Sequence, residues 1–238
     1  MLALSSARTV APVFRPTHLH AVPHEAAALP FSRIAHPLIS VARDGEIFPE
    51  ASAATHVYQV ISGTLRTAKL LADGRRLIGD FVFAGEWVGF DGGPRHFYAA
   101  EAVTDARLLC FSRRDLERLM AEDHEAARTI QAVLCDTLSA AHERIVSLGR
   151  KTAMERVAGF LVDVAERLGG SGKTGFVLPM SRSDIADYLG LTVETVSRTL
   201  GDLRRQHVIQ IADVHQVQII DRTSLAALGG DELRRYCA

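Results

Sequence analysis

Hydrophobic and polar positions divide the chain into four textures. Residues 1–28 are rich in Ala, Pro and His, contain one acidic residue, Glu25, and show neither a helical nor a strand period, so a mobile arm is expected. From about Ile34 to Ser112, short apolar runs alternate with turn pairs: Asp44-Gly45, Ser62-Gly63, Asp73-Gly74, Ala84-Gly85 and Gly92-Gly93-Pro94. The pieces between them, Val57–Ile61, Thr64–Leu71, Leu77–Phe83, Trp87–Phe90, Phe97–Val103 and Arg107–Phe111, have strand length. Short strands at this spacing predict a β-roll or jelly roll over residues 29–114.

Near Asp115 the period changes to that of a helix. A helical stretch is expected over residues 115–150, with a break near Asp123. Its apolar residues Ile130, Leu134, Leu138, Ala141, Ile145 and Leu148 follow one another at spacings of 4, 4, 3, 4 and 3. Such a heptad-like stripe requires a partner. Its own β-roll would serve, as would a second copy of the chain; the reading adopted is a parallel homodimer joined along this helix.

Residues 151–238 form the last texture. A helix is predicted from Thr152 to Leu168, with Met154, Val157, Ala158, Leu161, Val164, Ala165 and Leu168 on its apolar side and Gly169-Gly170-Ser171-Gly172 stopping it. In Ser181-Arg182-Ser183-Asp184, Ser181 can bond the first free amides of a short helix and Asp184 can reach back as its capping-box partner. Gly190 breaks that helix where a tight turn is needed, and Thr192 can cap a second helix running to about Gln206. At 100° per residue, Val196, Leu200 and Leu203 share one side, while Glu194, Ser197, Arg198 and Gly201 gather on the other. Val208–Ile211, a polar turn and Val217–Asp221 suggest a β-hairpin, which completes a winged helix-turn-helix. The predicted fold class is α+β.

The polar face of the second helix has the chemistry of base reading. Arg198 can donate two bonds to guanine O6 and N7, Glu194 can accept from cytosine N4, and Ser197 can contact a base or a thymine methyl. Arg182, Thr192 and Thr195 are placed for phosphates, which position without specifying. Double-stranded DNA is therefore the expected partner.

Composition narrows this picture. The 238 residues carry 27 basic and 28 acidic side chains, a net charge of −1, which excludes a globally basic DNA scaffold but not a local reader. From Lys151 to the end there are eleven of each sign, so placement and not domain charge supports DNA contact. Three dispersed cysteines, Cys110, Cys135 and Cys237, fit a reducing compartment, and neither a signal peptide nor a membrane span is evident, so a cytoplasmic address is expected. No HExxH, Walker A, GxSxG or CxxC pattern occurs, and no enzyme activity is expected. His18, His20 and His24 in the arm could bind a metal or, with another ligand, heme, but histidines in a flexible tail more often hold nothing, and no specific site is expected there.

The segment Leu178-Pro-Met-Ser-Arg-Ser-Asp-Ile-Ala-Asp-Tyr-Leu-Gly-Leu-Thr-Val-Glu-Thr-Val-Ser-Arg-Thr-Leu200 resembles the recognition segment of the CRP/FNR superfamily of bacterial transcription regulators, with the FNR/FixK branch the better match. The resemblance extends over about residues 34–225 and includes Ala72-Asp-Gly-Arg-Arg76, Ala100-Glu-Ala-Val-Thr-Asp105 and Leu148-Gly-Arg-Lys-Thr-Ala-Met-Glu-Arg-Val157. Val193 stands before the glutamate as in FNR-like members, where CRP-like members have arginine. The resemblance implies an FNR-type palindrome of TTGAT and ATCAA half-sites, a homodimer, and RNA polymerase as a partner in activation and repression.

FNR-like sensors hold an iron–sulfur cluster through cysteines in the arm and the roll. Here the arm has none, and three cysteines cannot build a four-thiolate site. Cys110 and Cys135 are expected as buried apolar fillers, and no cysteine lies in the helix-turn-helix. CRP-like proteins bind cyclic AMP with a Gly-Glu pair and an Arg-Ser pair. Gly85-Glu86 resembles the first, but Pro94-Arg95-His96-Phe97 lacks the second, so no cyclic AMP response is expected and Gly85, Glu86 and Arg95 remain weak effector candidates. No cofactor is expected. The alternative is a regulator whose β-roll must bind a small molecule before it binds DNA.

Overall fold

The computed structural model describes residues 31–169, 175–213 and 215–230. The arm with His18, His20 and His24, the glycine run after Gly169, and Cys237 lie outside the described residues. Eight antiparallel strands form the N-terminal domain: β1 (Leu38–Val41), β2 (Glu46–Phe48), β3 (His56–Ser62), β4 (Leu65–Leu70), β5 (Arg76–Val82), β6 (Trp87–Val88), β7 (Ala99–Ala102) and β8 (Ala106–Ser112). They close as two four-stranded sheets, in the orders β1-β8-β3-β6 and β2-β7-β4-β5. Alternation along β3 and β8 explains the two-layered core. Val60 and Leu108 point into the roll beside Phe48, Leu65 and Val88, whereas Val57, Leu109 and Phe111 point outward under the helices that follow.

The helical stretch breaks where the sequence indicated. Helix α1 (Arg113–Glu122) ends at Asp123, whose carboxylate then accepts from Glu125 N and Ala126 N to start α2 (His124–Arg150). Thr152 and Glu155 form a capping box for α3 (Ala153–Arg167). The remaining elements are β9 (Phe176–Val177), α4 (Arg182–Leu189), α5 (Val193–Arg205), β10 (Ile209–Ile211), β11 (Gln216–Ile219) and α6 (Arg222–Leu228).

The hairpin after α5 is present, and β9 joins it as a third strand, in the order β10-β11-β9. Strand β9 is two residues long and offers no period to read. Helix α6 was also missed in the sequence, although Asp221 caps it through Ser224 N at 2.9 Å. The core of the C-terminal domain does not stop at the domain boundary: Ile78, Phe81, Phe83 and Val103 of the roll pack with Val157, Leu161, Ile185 and Val196.

Candidate nucleic-acid interface

Ser181 and Asp184 fix the first helix of the motif. Ser181 Oγ accepts from Asp184 N at 3.0 Å, and Asp184 Oδ2 accepts from Ser181 N at 3.1 Å, which satisfies two donors that a helix start leaves free. Gly190 ends the helix at φ +62°, the left-handed conformation in which a side chain is strained, and Leu191 N donates back to Ala186 O at 3.0 Å. Thr192 Oγ1 then accepts from Thr195 N at 3.2 Å and opens α5.

Helix α5 is sided as its sequence predicts. Val196, Thr199, Leu200 and Leu203 are buried, and Glu194, Ser197 and Arg198 are exposed within about one turn of each other. Bonding from its own amide and from the Thr192 hydroxyl holds the Glu194 carboxyl below the ordinary carboxylate range, so it is an acceptor at neutral pH, as the amino group of cytosine requires.

The three phosphate candidates differ in access. Thr192 is exposed but already engaged as a cap, Thr195 is half-buried, and burial lowers the guanidinium of half-buried Arg182 from its ordinary value.

The stripe on α2 divides in two. Ile130, 1% exposed, packs with Phe111, Leu116 and Leu119 of its own domain. Leu134, Leu138, Ile145 and Leu148 stand 42%, 58%, 68% and 38% exposed, and Ala141 is exposed between them. Only the part from Leu134 onward is open to a partner.

Comparison with known proteins decides the family. A model of the Crp-like helix-turn-helix domain matches residues 155–228, and a model of the cyclic nucleotide-binding domain matches residues 38–123. The nitrogen fixation regulation protein FixK of Azorhizobium caulinodans is 44% identical over 190 residues, spanning 79% of this chain and 77% of that one. FixK of Rhizobium meliloti is 39% identical over 183 residues, spanning 77% and 82%. The chain belongs to the CRP/FNR family, on its FixK-like side. The solved structure of FixK2 from Bradyrhizobium japonicum superposes with a TM-score of 0.78 at 42% identity, covering 82% of this chain and 98% of that one. This CRP/FNR chain is a DNA-binding transcription regulator with the fold of its relatives.

Within this CRP/FNR roll, the effector candidates have other work. Gly85 N donates to Val60 O at 2.8 Å, and the Glu86 carboxylate takes both Nε and Nη2 of Arg167 at 2.8 and 2.7 Å. Arg95 Nη1 donates to Ala51 O at 2.7 Å. Glu86 thus turns toward α3. Inside the roll, His96 stacks on Phe48 with ring centroids 3.7 Å apart, and its Nδ1 lies 2.7 Å from Asp91 Oδ2.

The cysteines part company. Cys110 is half-buried opposite Tyr58 on β3, and burial pushes its thiol up. Cys135 is exposed on α2, which corrects the buried-filler reading: it follows Leu134 on the part of the helix that leaves the roll. Among the described residues, no helix is long and apolar enough to cross a membrane.

Sequence reasoning missed the residues that join the two domains. Arg66 and Arg76 reach Asp184, and Arg76 also reaches Asp187, across separations of up to 118 residues. Arg156 donates to Leu148 O, Lys151 O and Leu189 O, so one guanidinium ties the end of α2 to the end of α4. No local pattern pairs residues so far apart.

Proposed function

We propose that the protein acts as a homodimer joined along α2 from Leu134 to Leu148, reading a palindrome of TTGAT and ATCAA half-sites. The observation that carries the reading is α5 itself: Glu194, Ser197 and Arg198 form an exposed polar face on a helix whose other side is fixed in the core. Two such helices related by a two-fold axis fit successive major grooves about 34 Å apart. Thr192, Thr195 and Arg182 supply phosphate contacts at the starts of α5 and α4. A net charge of −1 supports few non-specific contacts, so palindrome binding stands well above binding to unrelated DNA. The regulator works in the cytoplasm, where it meets RNA polymerase and activates or represses according to site position.

The second reading, a roll that needs a small molecule, has the cyclic nucleotide-binding match behind it. Against it, Glu86 and Arg95 are already bonded to Arg167 and Ala51. A gel shift tests the proposed contact. Arg198→Ala should lose about 1–3 kcal/mol per half-site and no longer prefer guanine at the contacted position. Unchanged guanine preference would refute the role of Arg198, and DNA binding that appears only with an added small molecule would favour the second reading.

A further inference from the structure

The helix-turn-helix sits on the outer face of β5. Phe81 is 1% exposed and Phe83 2%, and the Phe81 ring lies 6.2 Å from Phe160 of α3 and 5.1 Å from Tyr188 of α4. Around this aromatic seat stand four arginines. Two reach from the roll: Arg66 Nη1 donates to Asp184 Oδ1 at 3.4 Å, and Arg76 donates to Asp184 at 2.6 Å and Asp187 at 2.8 Å. One reaches back: Arg167, at the end of α3, takes both oxygens of Glu86 and the carbonyl of Phe81. The fourth, Arg144 of α2, donates to Ile78 O at 2.9 Å and Tyr188 O at 3.0 Å and lies over the Tyr188 ring.

Domains of one chain move relative to one another unless their interface is large and apolar. Here an apolar seat is present, and what surrounds it is directional. A guanidinium fork donates to its partners only in a narrow plane, so paired arginines fix an angle where apolar contact alone fixes a distance. Arg66, Asp184 and Arg167 are withdrawn from water, at 14%, 6% and 22% exposure, which limits screening by salt, while Arg76, Asp187 and Glu86 stand at 30%, 28% and 33%. The acceptor Asp184 is also the capping-box partner of Ser181 at the start of α4, and α4 is held to α5 by the Gly190 turn. Anything that holds Asp184 therefore orients α5.

We infer that Arg66, Arg76 and Arg167 are positioning residues for DNA reading: through Asp184, Asp187 and Glu86 they hold the recognition helix at a fixed angle to α2, so that half-site spacing is built into the chain. This inference rests on the palindromic dimer proposed above. One inserted base pair moves a half-site by about 3.4 Å and turns it by about 35°. Rigid heads are penalised by that shift. Loosened heads tolerate it, but they bind the native spacing less tightly because their freedom is lost on binding.

The test is an anisotropy titration of the full chain on three duplexes: the palindrome, the palindrome with one base pair inserted in its spacer, and unrelated DNA. Arg76→Ala and the isosteric Glu86→Gln are compared with the natural protein, with thermal melts and sedimentation confirming folded dimers. Both variants should lose on the order of tenfold on the native spacing, keep their affinity for unrelated DNA, and show a smaller penalty for the inserted base pair. Asp187→Arg in an Arg76→Asp background should restore part of the spacer discrimination. The inference is overturned if the natural protein discriminates spacing and the variants match it, or if the variants bind the palindrome more tightly, which would make the contact inhibitory. If the natural protein shows no preference for the palindrome, the dimer reading fails first and takes the inference with it.

Discussion

Ser181 and Asp184 bond each other twice at the start of α4, each through its side chain to the backbone amide of the other. The Ser181 hydroxyl also lies 2.8 Å from Asp184 Oδ2. Removing the hydroxyl in Ser181→Ala leaves the Asp184 amide without its cap and should cost about 1 kcal/mol. Urea denaturation followed by circular dichroism measures this, and a loss below a few tenths of a kcal/mol would show that the cap is dispensable.

Protonation of Asp184 gives a pH signature. Burial works to raise its carboxyl, but the bonds from Ser181 and the charges of Arg66 and Arg76 outweigh burial and hold it below its ordinary value of 3.8. A carboxyl depressed in the folded state stabilises above its unfolded pKa, and that contribution is lost as pH falls through the folded value. The melting-temperature gap between the natural protein and Asp184→Asn should therefore be constant from about pH 7 to about pH 5 and close below about pH 4. A gap that widens on acidification would contradict the sign.

Two apolar positions on α2 should answer differently. Leu138 and Ile145 are 58% and 68% exposed, so Leu138→Glu and Ile145→Glu should yield folded monomers by sedimentation. Ile130 is 1% exposed and belongs to its own domain, so Ile130→Ala should cost about 2–5 kcal/mol of stability and leave the dimer intact where the chain stays folded. Dimers that survive both glutamate substitutions would move the interface elsewhere.

That contrast also marks how far the sequence could be read. Spacing placed Ile130 on the same stripe as Leu138, and the helix does carry both on one side. What spacing does not contain is where the roll ends beneath the helix, so one stripe is buried at Ile130 and exposed from Leu134 onward. The caps at Ser181 and Thr192 were legible because they act over three or four positions. The helix-turn-helix face was legible because buried and exposed residues differ in polarity. Short strands such as Glu46–Phe48 and Phe176–Val177 carry too few residues for a period. The bond between Glu86 and Arg167 was not legible, because the two residues lie 81 positions apart.

Salt dependence separates the two kinds of DNA contact. With Arg182, Thr192 and Thr195 on phosphates, the slope of log affinity against log salt should be set by a few contacts per subunit, and Arg182→Ala should make it shallower by about 1 per subunit. Arg198→Ala should weaken binding with its main effect on sequence preference. Equal slopes for Arg182→Ala and the natural protein would remove Arg182 from the phosphate contacts.

The most direct test is an equilibrium titration of purified protein, with no small molecule added, on the TTGAT and ATCAA palindrome and on the same duplex with both half-sites scrambled. Two chains should bind per palindrome with a dissociation constant of about 10 nM or tighter, and the scrambled duplex should bind on the order of a thousandfold more weakly. Equal affinity for the two duplexes, or one chain per duplex, would contradict a dimeric reader of this palindrome.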